Sequence, residues 1–155
     1  MKMPQLTVYA KSAGLEIGPY EKRQAGKPCE GRISLRFFNM ENGSQQIRFV
    51  AQPAEAYALF RMINRTFQEG NSDALTHKFD GSNGEIITKL GVEKYERNNK
   101  AGYAFTIQRG SESINVATSA CDFLYAAEFL RHLSLSEAWM EQTVPERKAP
   151  LQSSD

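Results

Sequence analysis

The sequence lacks any long apolar run and contains only two cysteines and two histidines. Crossing a bilayer takes about 20 consecutive apolar residues, so we expect no membrane span. The first residues, Met-Lys-Met-Pro-Gln, have neither the apolar core of a secretory signal nor the composition of a transit peptide. We therefore expect an intracellular, cytoplasmic protein. Cys29 lies in a Gly/Pro-containing loop and Cys121 opens a predicted helix, which favours two reduced cysteines over a disulfide.

No enzyme signature is present. His77 and His132 are far apart and have no metal-ligand spacing, and we expect His132 to pack beside the apolar side of a helix. Cys121 has no histidine neighbour in the sequence that would activate it as a nucleophile. The Gly-Ser-Asn-Gly segment at 81–84 lacks the lysine and the following helix of a phosphate-binding loop. The sequence thus predicts no catalytic residue, no metal and no cofactor.

Charge is nearly balanced overall but unevenly distributed. The net charge is +1. Residues 1–52 hold eight Lys/Arg against four Asp/Glu, whereas residues 118–155 hold three against six. The first part of the chain is therefore the positive end of the molecule, and the C-terminal helix with its tail is the negative end.

A sheet-then-helix pattern occurs twice. Strands at 32–40 and 45–52, joined by a turn at 41–44, precede a helix from Pro53 to about Glu69. Strands at 102–109 and 113–117 precede a second helix, at about 119–140. An internal repeat of this kind determines the architecture.

The predicted fold is therefore α+β, a tandem repeat of four antiparallel strands plus a helix, with two sheets packed with two helices. We expect one domain at 1–141, with repeat halves at about 1–70 and 71–141. The tail at 142–155 has prolines, charges and serines without apolar periodicity, so we expect it to be disordered.

Each strand alternates between an apolar face and a polar, basic or aromatic face. In the third strand Ile33, Leu35 and Phe37 share one face, opposite Arg32, Ser34, Arg36 and Phe38. This alternation is typical of an antiparallel sheet that is covered by a helix on one side only. Gly18-Pro19 is expected to end the second strand, and 20–31 to form a loop.

The open faces carry the two groups that single-stranded nucleic acid needs, cations for phosphates and aromatic rings for bases. Exposed Lys and Arg side chains also serve simply to keep a protein soluble, so the pattern alone does not decide. Phe38 could equally be a core residue, because a shift of one residue would exchange it with Phe37. The candidate binding residues that the alternation supplies are Tyr9, Lys11, Arg32, Arg36, Phe38, Arg48, Lys78, Lys89 and Tyr95.

Three stretches resemble the Whirly family of single-stranded DNA-binding proteins. Tyr-Ala-Lys-Ser-Ala-Gly-Leu at 9–15 is similar to the family's Tyr-Lys-Gly-Lys-Ala-Ala-Leu, with Ala10 and Ser12 in place of its two lysines. Lys-Leu-Gly-Val-Glu at 89–93, followed by Gly-Tyr-Ala-Phe at 102–105, is similar to the family's Lys-Val-Glu strand and Gly-His-Phe-Phe entry. Ala-Trp at 138–139 is similar to the Gly-Trp that ends the family's last helix.

The resemblance implies a function and an assembly. It implies single-stranded DNA binding in replication, recombination or repair, and it adds Ser12 to the candidate site. It also implies a homotetramer with the long helices at its centre and the strand held between neighbouring protomers. Phe129 and Trp139 are the expected interface residues, because the last helix has more apolar circumference than one sheet can cover. Two alternatives stay open: an RNA-binding protein of the same architecture, and a protein-interaction or inhibitor module that reuses the fold.

Overall fold

The computed structural model describes residues 2–41 and 45–142. The predicted tail, apart from Gln142, and the predicted turn at 41–44, apart from Glu41, lie outside the described residues. The elements in chain order are β1 (Leu6–Tyr9), β2 (Ala13–Lys22), β3 (Glu30–Asn39), β4 (Gln46–Ala51), α1 (Pro53–Glu69), β5 (Asp73–Gly81), β6 (Gly84–Arg97), β7 (Lys100–Arg109), β8 (Glu112–Thr118) and α2 (Ala120–Ser136).

The strands form two antiparallel four-stranded sheets. The first sheet has the order β1-β2-β3-β4 and the second the order β5-β6-β7-β8, so every strand pairs with its neighbour in the chain. Each sheet is followed by its helix. The predicted fold class, a tandem repeat of four antiparallel strands plus a helix, is confirmed.

The second strand is longer than predicted. It runs through Gly18-Pro19 to Lys22, with Pro19 opposite Ile33 of β3. The last pair between β1 and β2 is Leu6 with Ile17, so beyond that point one edge of β2 is free. A proline, which cannot donate a backbone hydrogen bond, is tolerated in a strand with a free edge. The prediction that Gly18-Pro19 ends the strand was therefore wrong.

The first helix has the predicted bounds, Pro53–Glu69. Pro53 occupies the first turn, where its missing N–H costs nothing. The Glu55 side chain accepts a 3.0 Å hydrogen bond from the backbone N–H of Gln52 and so caps the helix start. Gly70 ends the helix with a φ of 82°, a left-handed conformation that glycine adopts without strain.

The second helix ends earlier than predicted. It begins after Ser119, whose hydroxyl accepts a 3.2 Å hydrogen bond from the backbone N–H of Asp122, and it ends at Ser136. Trp139 therefore lies outside the helix, and the prediction of a helix to residue 140 was wrong. The chain turns instead and runs beside the start of β3, where the Gly31 N–H donates to the Trp139 carbonyl at 3.0 Å.

A glycine makes this docking possible. A Cβ atom at Gly31 would lie 2.1 Å from the backbone oxygen of Glu137 and 2.8 Å from Nε1 of Trp139. Backbone atoms on the facing segment cannot move aside as a side chain would. The segment after α2 is thus held to the first sheet by close backbone approach, which the helical spacing of its apolar residues did not reveal.

The two halves share one hydrophobic core. The helices pack against each other, and α1 contacts strands of both sheets. Leu35, Leu59, Phe105 and Leu130, one from each of two strands and two helices, are fully buried members of one cluster. The helix pair therefore lies in a core common to both repeats.

Two polar side chains also join the halves. The His77 ring of β5 stacks on Phe49 of β4, with centroids 3.9 Å apart, and its Nε2 lies 2.6 Å from Oε2 of Glu55. Arg109 of β7 donates to the backbone carbonyl of Arg48 at 2.9 Å. His132, in contrast, is exposed rather than packed as predicted.

Both cysteines are free, Cys29 buried and Cys121 exposed, as the sequence predicted. None of the helices in the part of the chain that the structure describes is long and apolar enough to cross a membrane.

Candidate nucleic-acid interface

The outer face of the first sheet gathers several of the predicted binding residues. Ile33, Leu35 and Phe37 are fully buried, which settles the register of β3 and places Arg36 and Phe38 on the opposite side. We call this surface the first-sheet face and define it by its charged, amide and aromatic members Tyr9, Glu16, Tyr20, Arg36, Phe38, Gln46 and Arg48.

A row of charge crosses the middle of the first-sheet face. Glu16 of β2 is paired with Arg36 of β3, which is paired with Arg48 of β4. The Arg36 guanidinium donates to Glu16 through Nη2 at 2.8 Å and Nε at 3.4 Å, and to the Gln46 amide oxygen at 3.3 Å. The hydrogen bond from Arg36, together with the charges of Arg36 and Arg48, lowers the pKa of Glu16 below its ordinary value. The Arg36 guanidinium is thereby held against Glu16, whereas Arg48 beside it forms no ion pair within the described residues.

An aromatic pair flanks this row. Tyr9 and Phe38 meet edge to face with centroids 6.2 Å apart, and the Arg36 guanidinium lies 4.9 Å from the Phe38 centroid. The Phe38 ring rests on Gly14, where a Cβ atom would lie 2.2 Å from the ring. Tyr9 is 68% exposed. The pair offers flat apolar surface to a ligand at the edge of the arginine row.

A second cation and ring pair lies farther along the face. The Arg48 guanidinium is 5.7 Å from the centroid of the Tyr20 ring, and both side chains are exposed. Arg32, on the same side of β3, is less available: it is ion-paired with Glu30 at 2.5 Å, donates to the Gly31 carbonyl at 2.8 Å, and its side chain is only 14% exposed. Arg32 is thus less accessible to a ligand than Arg36 and Arg48, although it lies on the same side of the sheet.

A cleft of about 400 Å³ continues the surface toward the second sheet. It collects Lys11 and Ser12 from the β1–β2 turn and Tyr95 from β6, three predicted site residues that are far apart in the sequence. Ala10, which also lines the cleft, directly follows Tyr9, the last residue of β1, so the cleft adjoins the first-sheet face. We call it the inter-sheet cleft. Its lining residues are Ala10, Lys11, Ser12, Glu93, Tyr95, Arg97, Asn115 and Ala117.

Two predicted lysines lie apart from this surface. Lys78 and Lys89 are exposed on the second sheet. Lys89 precedes Tyr95 by six residues on β6, a separation of about 20 Å along a strand. They lie outside both the first-sheet face and the inter-sheet cleft.

The expected interface residues have different environments. Phe129 is partly buried and packs against the protein's own core, and Trp139 is 37% exposed and donates a 2.7 Å hydrogen bond from Nε1 to Glu137. Trp139 belongs to the segment that docks on β3, so it does not extend the apolar side of α2 as predicted.

Several residues of this surface were not among the predicted site residues, including Tyr20, Glu16 and Arg97. Tyr20 was assigned to a loop because Pro19 was taken to end β2, although the alternation of Glu16, Gly18 and Tyr20 continues past it. Glu16 was not singled out because an acidic residue does not fit a phosphate site. Arg97 follows Tyr95 by two residues on β6, so the period-2 pattern could have found it.

The groups on this surface can be compared with the groups that metals and nucleic acids require. Within residues 2–41 and 45–142 no group of three or more His, Cys, Asp or Glu side chains is arranged to hold a metal ion. The cationic groups on the first-sheet face are the guanidinium groups of Arg36 and Arg48, and aromatic rings flank them. Guanidinium groups match phosphate oxygens in geometry and charge, and rings match the faces of bases.

The comparisons with known proteins agree with this architecture. No family model and no curated protein matches the sequence. Among solved structures, WHY1 from Arabidopsis thaliana superposes with a TM-score of 0.55 at 14% identity, over 89% of this chain and 86% of that one. The fold is Whirly-like. A second match is the plant transcriptional regulator PBF-2, with a TM-score of 0.54 at 17% identity, over 88% of this chain and 92% of that one. The resemblance noted in the sequence is thus confirmed at the level of the fold.

The ion pair at the centre of the first-sheet face gives a test that needs no ligand. Because its folded pKa is lowered, Glu16 stabilises the fold above its unfolded pKa of about 4.5, and this contribution disappears as the pH falls through the lowered value. We expect Glu16→Gln to reduce the free energy of unfolding at pH 7 by about 0.5 kcal/mol, a small value because both partners are partly solvated. Urea denaturation at a series of pH values from 7 to below 4 measures the free energy of unfolding of both proteins. The values for the original protein and for Glu16→Gln should become equal in acid.

Glu96→Gln is the control for this experiment. Glu96 is exposed and forms no ion pair in the described part of the chain. The ion pair would be contradicted if the loss of stability in Glu16→Gln persisted unchanged in acid. It would also be contradicted if Glu16→Gln were as stable as the original protein at pH 7.

Proposed function

We propose that this protein binds single-stranded DNA, largely without sequence preference, through the first-sheet face and the inter-sheet cleft. The observation that carries the proposal is the continuous surface on which Arg36, Arg48 and Lys11 alternate with Tyr9 and Phe38 on a Whirly-like fold. Under this proposal the protein is a binding protein and not an enzyme.

The phosphates are held by cations on both parts of the surface. Arg48 is exposed and Arg36 is fixed by Glu16, so the first-sheet face presents one adaptable and one preorganised guanidinium. Lys11 and Arg97 border the inter-sheet cleft. Because the positive charge is spread over these positions, it suits the extended sugar-phosphate backbone of a nucleic acid better than a single small anion. Lys78 and Lys89 are expected to add contacts only for a strand long enough to cross the second sheet.

The bases stack on exposed rings. Tyr9, Phe38 and Tyr20 lie on the first-sheet face, and Tyr95 borders the inter-sheet cleft. Stacking of this kind contributes about 1–3 kcal/mol per base and tolerates every base, because each has a π face. In a duplex the bases are stacked on one another and cannot reach the rings. The surface should therefore discriminate against duplex DNA.

The assembly and the biological setting are part of the proposal. We propose a homotetramer in the cytoplasm that serves DNA replication, recombination or repair, with each chain acting as one domain over 1–141. Phe129 is partly buried and Trp139 partly exposed, so each retains apolar surface for a neighbouring protomer. Light scattering at micromolar concentration should give four times 17.4 kDa, and a monomeric mass would contradict the tetramer.

Fluorescence anisotropy with labelled oligo-dT tests the function. We expect oligo-dT to bind and unlabelled duplex of the same length to compete at least tenfold less well, with log affinity falling linearly with log salt. Oligo-U is included as a competitor, because no group on the surface is assigned to a 2′-hydroxyl. Equal competition by duplex, or no binding at low salt, would overturn the proposal, and tighter binding of oligo-U would redirect it to RNA.

A further inference from the structure

The inter-sheet cleft contains one acidic side chain among its lining residues. Glu93 of β6 lies in a row with Ala104 of β7 and Ala117 of β8, and the small, exposed Ala117 lines the cleft beside it. Within the described residues Glu93 forms no ion pair and accepts no side-chain hydrogen bond. Its two carboxylate oxygens are therefore available to a ligand.

An aromatic ring stands beside this carboxylate. Tyr95 follows Glu93 by two residues on the same side of β6, about 7 Å along the strand. Its ring rests on Gly102, where a Cβ atom would lie 2.4 Å from the ring. Because glycine leaves room for the ring to lie on the backbone of β7, Tyr95 is held in a fixed position while remaining partly exposed.

The charges in the cleft distinguish two parts of a nucleotide. Lys11 and Arg97 attract phosphate, whereas Glu93 repels it. An ionised carboxylate has no hydrogen to donate and only accepts hydrogen bonds. The group that fits beside Glu93 must therefore be a neutral donor, which in a nucleotide is the edge of the base.

We propose that the inter-sheet cleft holds one unpaired base of the bound strand, stacked on Tyr95, and that Glu93 makes guanine the preferred base there. Guanine presents two adjacent donors on its Watson–Crick edge, N1–H and the N2 amino group, which match the two oxygens of one carboxylate. Thymine presents a single N–H between two carbonyl oxygens that the carboxylate repels. Adenine and cytosine present one amino group beside an acceptor nitrogen.

A second polar side chain in the cleft can hydrogen-bond to the same base. The Asn115 amide lines the cleft from β8 and is exposed, so its N–H₂ group can donate to an acceptor on the same base. Such a site makes one position selective on a strand that is otherwise bound without sequence preference. This inference rests on the proposed function, because it requires a bound single strand.

The test uses the full chain and three labelled 12-mers in anisotropy titrations: oligo-dT, oligo-dT with one central dG, and oligo-dT with one central deoxyinosine, which lacks the N2 amino group. We expect the single dG to tighten binding about tenfold, as a bidentate contact to a base typically does. The deoxyinosine strand should fall between the other two. Glu93→Gln should reduce the preference for dG over dT at the central position to about twofold or less.

Glu85→Gln is the matched control, because the substitution removes the same charge as Glu93→Gln. Glu85 lies on the same side of β6 as Glu93, eight residues away. The Glu85→Gln variant should keep the full preference for dG. If oligo-dT binds but the central dG changes nothing, or if the preference survives in Glu93→Gln, the base-reading role is overturned while the proposed function stands. If none of the three strands binds, the proposed function fails as well.

Discussion

Replacing both central arginines of the first-sheet face, Arg36→Ala with Arg48→Ala, is expected to weaken binding of oligo-dT about 100-fold. Each guanidinium that pairs with a phosphate forms charge-assisted hydrogen bonds, which contribute about 1.5–3 kcal/mol apiece. Losing two such contacts should also make the slope of log affinity against log salt shallower by about 1.4, since each phosphate contact on a single strand contributes about 0.7.

The double variant should still fold. The change removes the ion pair between Arg36 and Glu16, and partly exposed pairs of this kind contribute less than about 1 kcal/mol. Arg61→Ala with Arg65→Ala on α1 is the control, because both residues are exposed and the net charge falls by the same two units. Equal loss of affinity in both double variants would mean that overall charge, and not the first-sheet face, holds the strand.

The second large effect concerns the shared core. Phe123 of α2 is fully buried, with its ring centroid 4.8 Å from that of Tyr103 and 5.2 Å from that of Phe105. We expect Phe123→Ala to lower the free energy of unfolding by about 4 kcal/mol, because the cavity cannot be filled by its neighbours. Tyr125→Ala, at a 60% exposed position of the same helix, should change it by less than about 0.5 kcal/mol.

The Phe123→Ala variant also tests whether the two repeats unfold together. Trp139 is docked on the first sheet, so its fluorescence reports on the first repeat, while Phe123 belongs to the second. If one core joins the halves, tryptophan fluorescence and far-ultraviolet circular dichroism should shift to the same lower denaturant midpoint. A tryptophan transition that stays in place while the circular dichroism shifts would show two independent domains.

The parts of the fold that the sequence predicted well are those governed by local periodicity. Alternation in β3 and β4 placed Arg36, Phe38 and Arg48 on the solvent side, and the Pro53 and Gly70 signals gave the exact bounds of α1. These features depend on neighbouring residues only. The internal repeat followed from the same local patterns used twice.

The errors arose where contacts between distant residues overrode local signals. The sequence prediction placed Trp139 on the apolar side of the last helix, but close approach to Gly31 holds it on the first sheet. Arg32 is an exception of local origin: it alternates outward as predicted, but its ion pair with Glu30, two residues before it, leaves its side chain only 14% exposed. The inter-sheet cleft brings together Lys11 and Tyr95, and no local pattern indicates that pairing.

Photo-crosslinking tests most directly whether a single strand lies across the first-sheet face and the inter-sheet cleft. Oligo-dT containing 5-iododeoxyuridine at alternate positions would be irradiated with the protein, and the adducts located by mass spectrometry of the digested chain. We predict adducts on Tyr9, Phe38 and Tyr95, the rings that the surface offers to bases. Adducts confined to Trp139 or to the exposed Tyr125 of α2, with none on those three rings, would contradict the account.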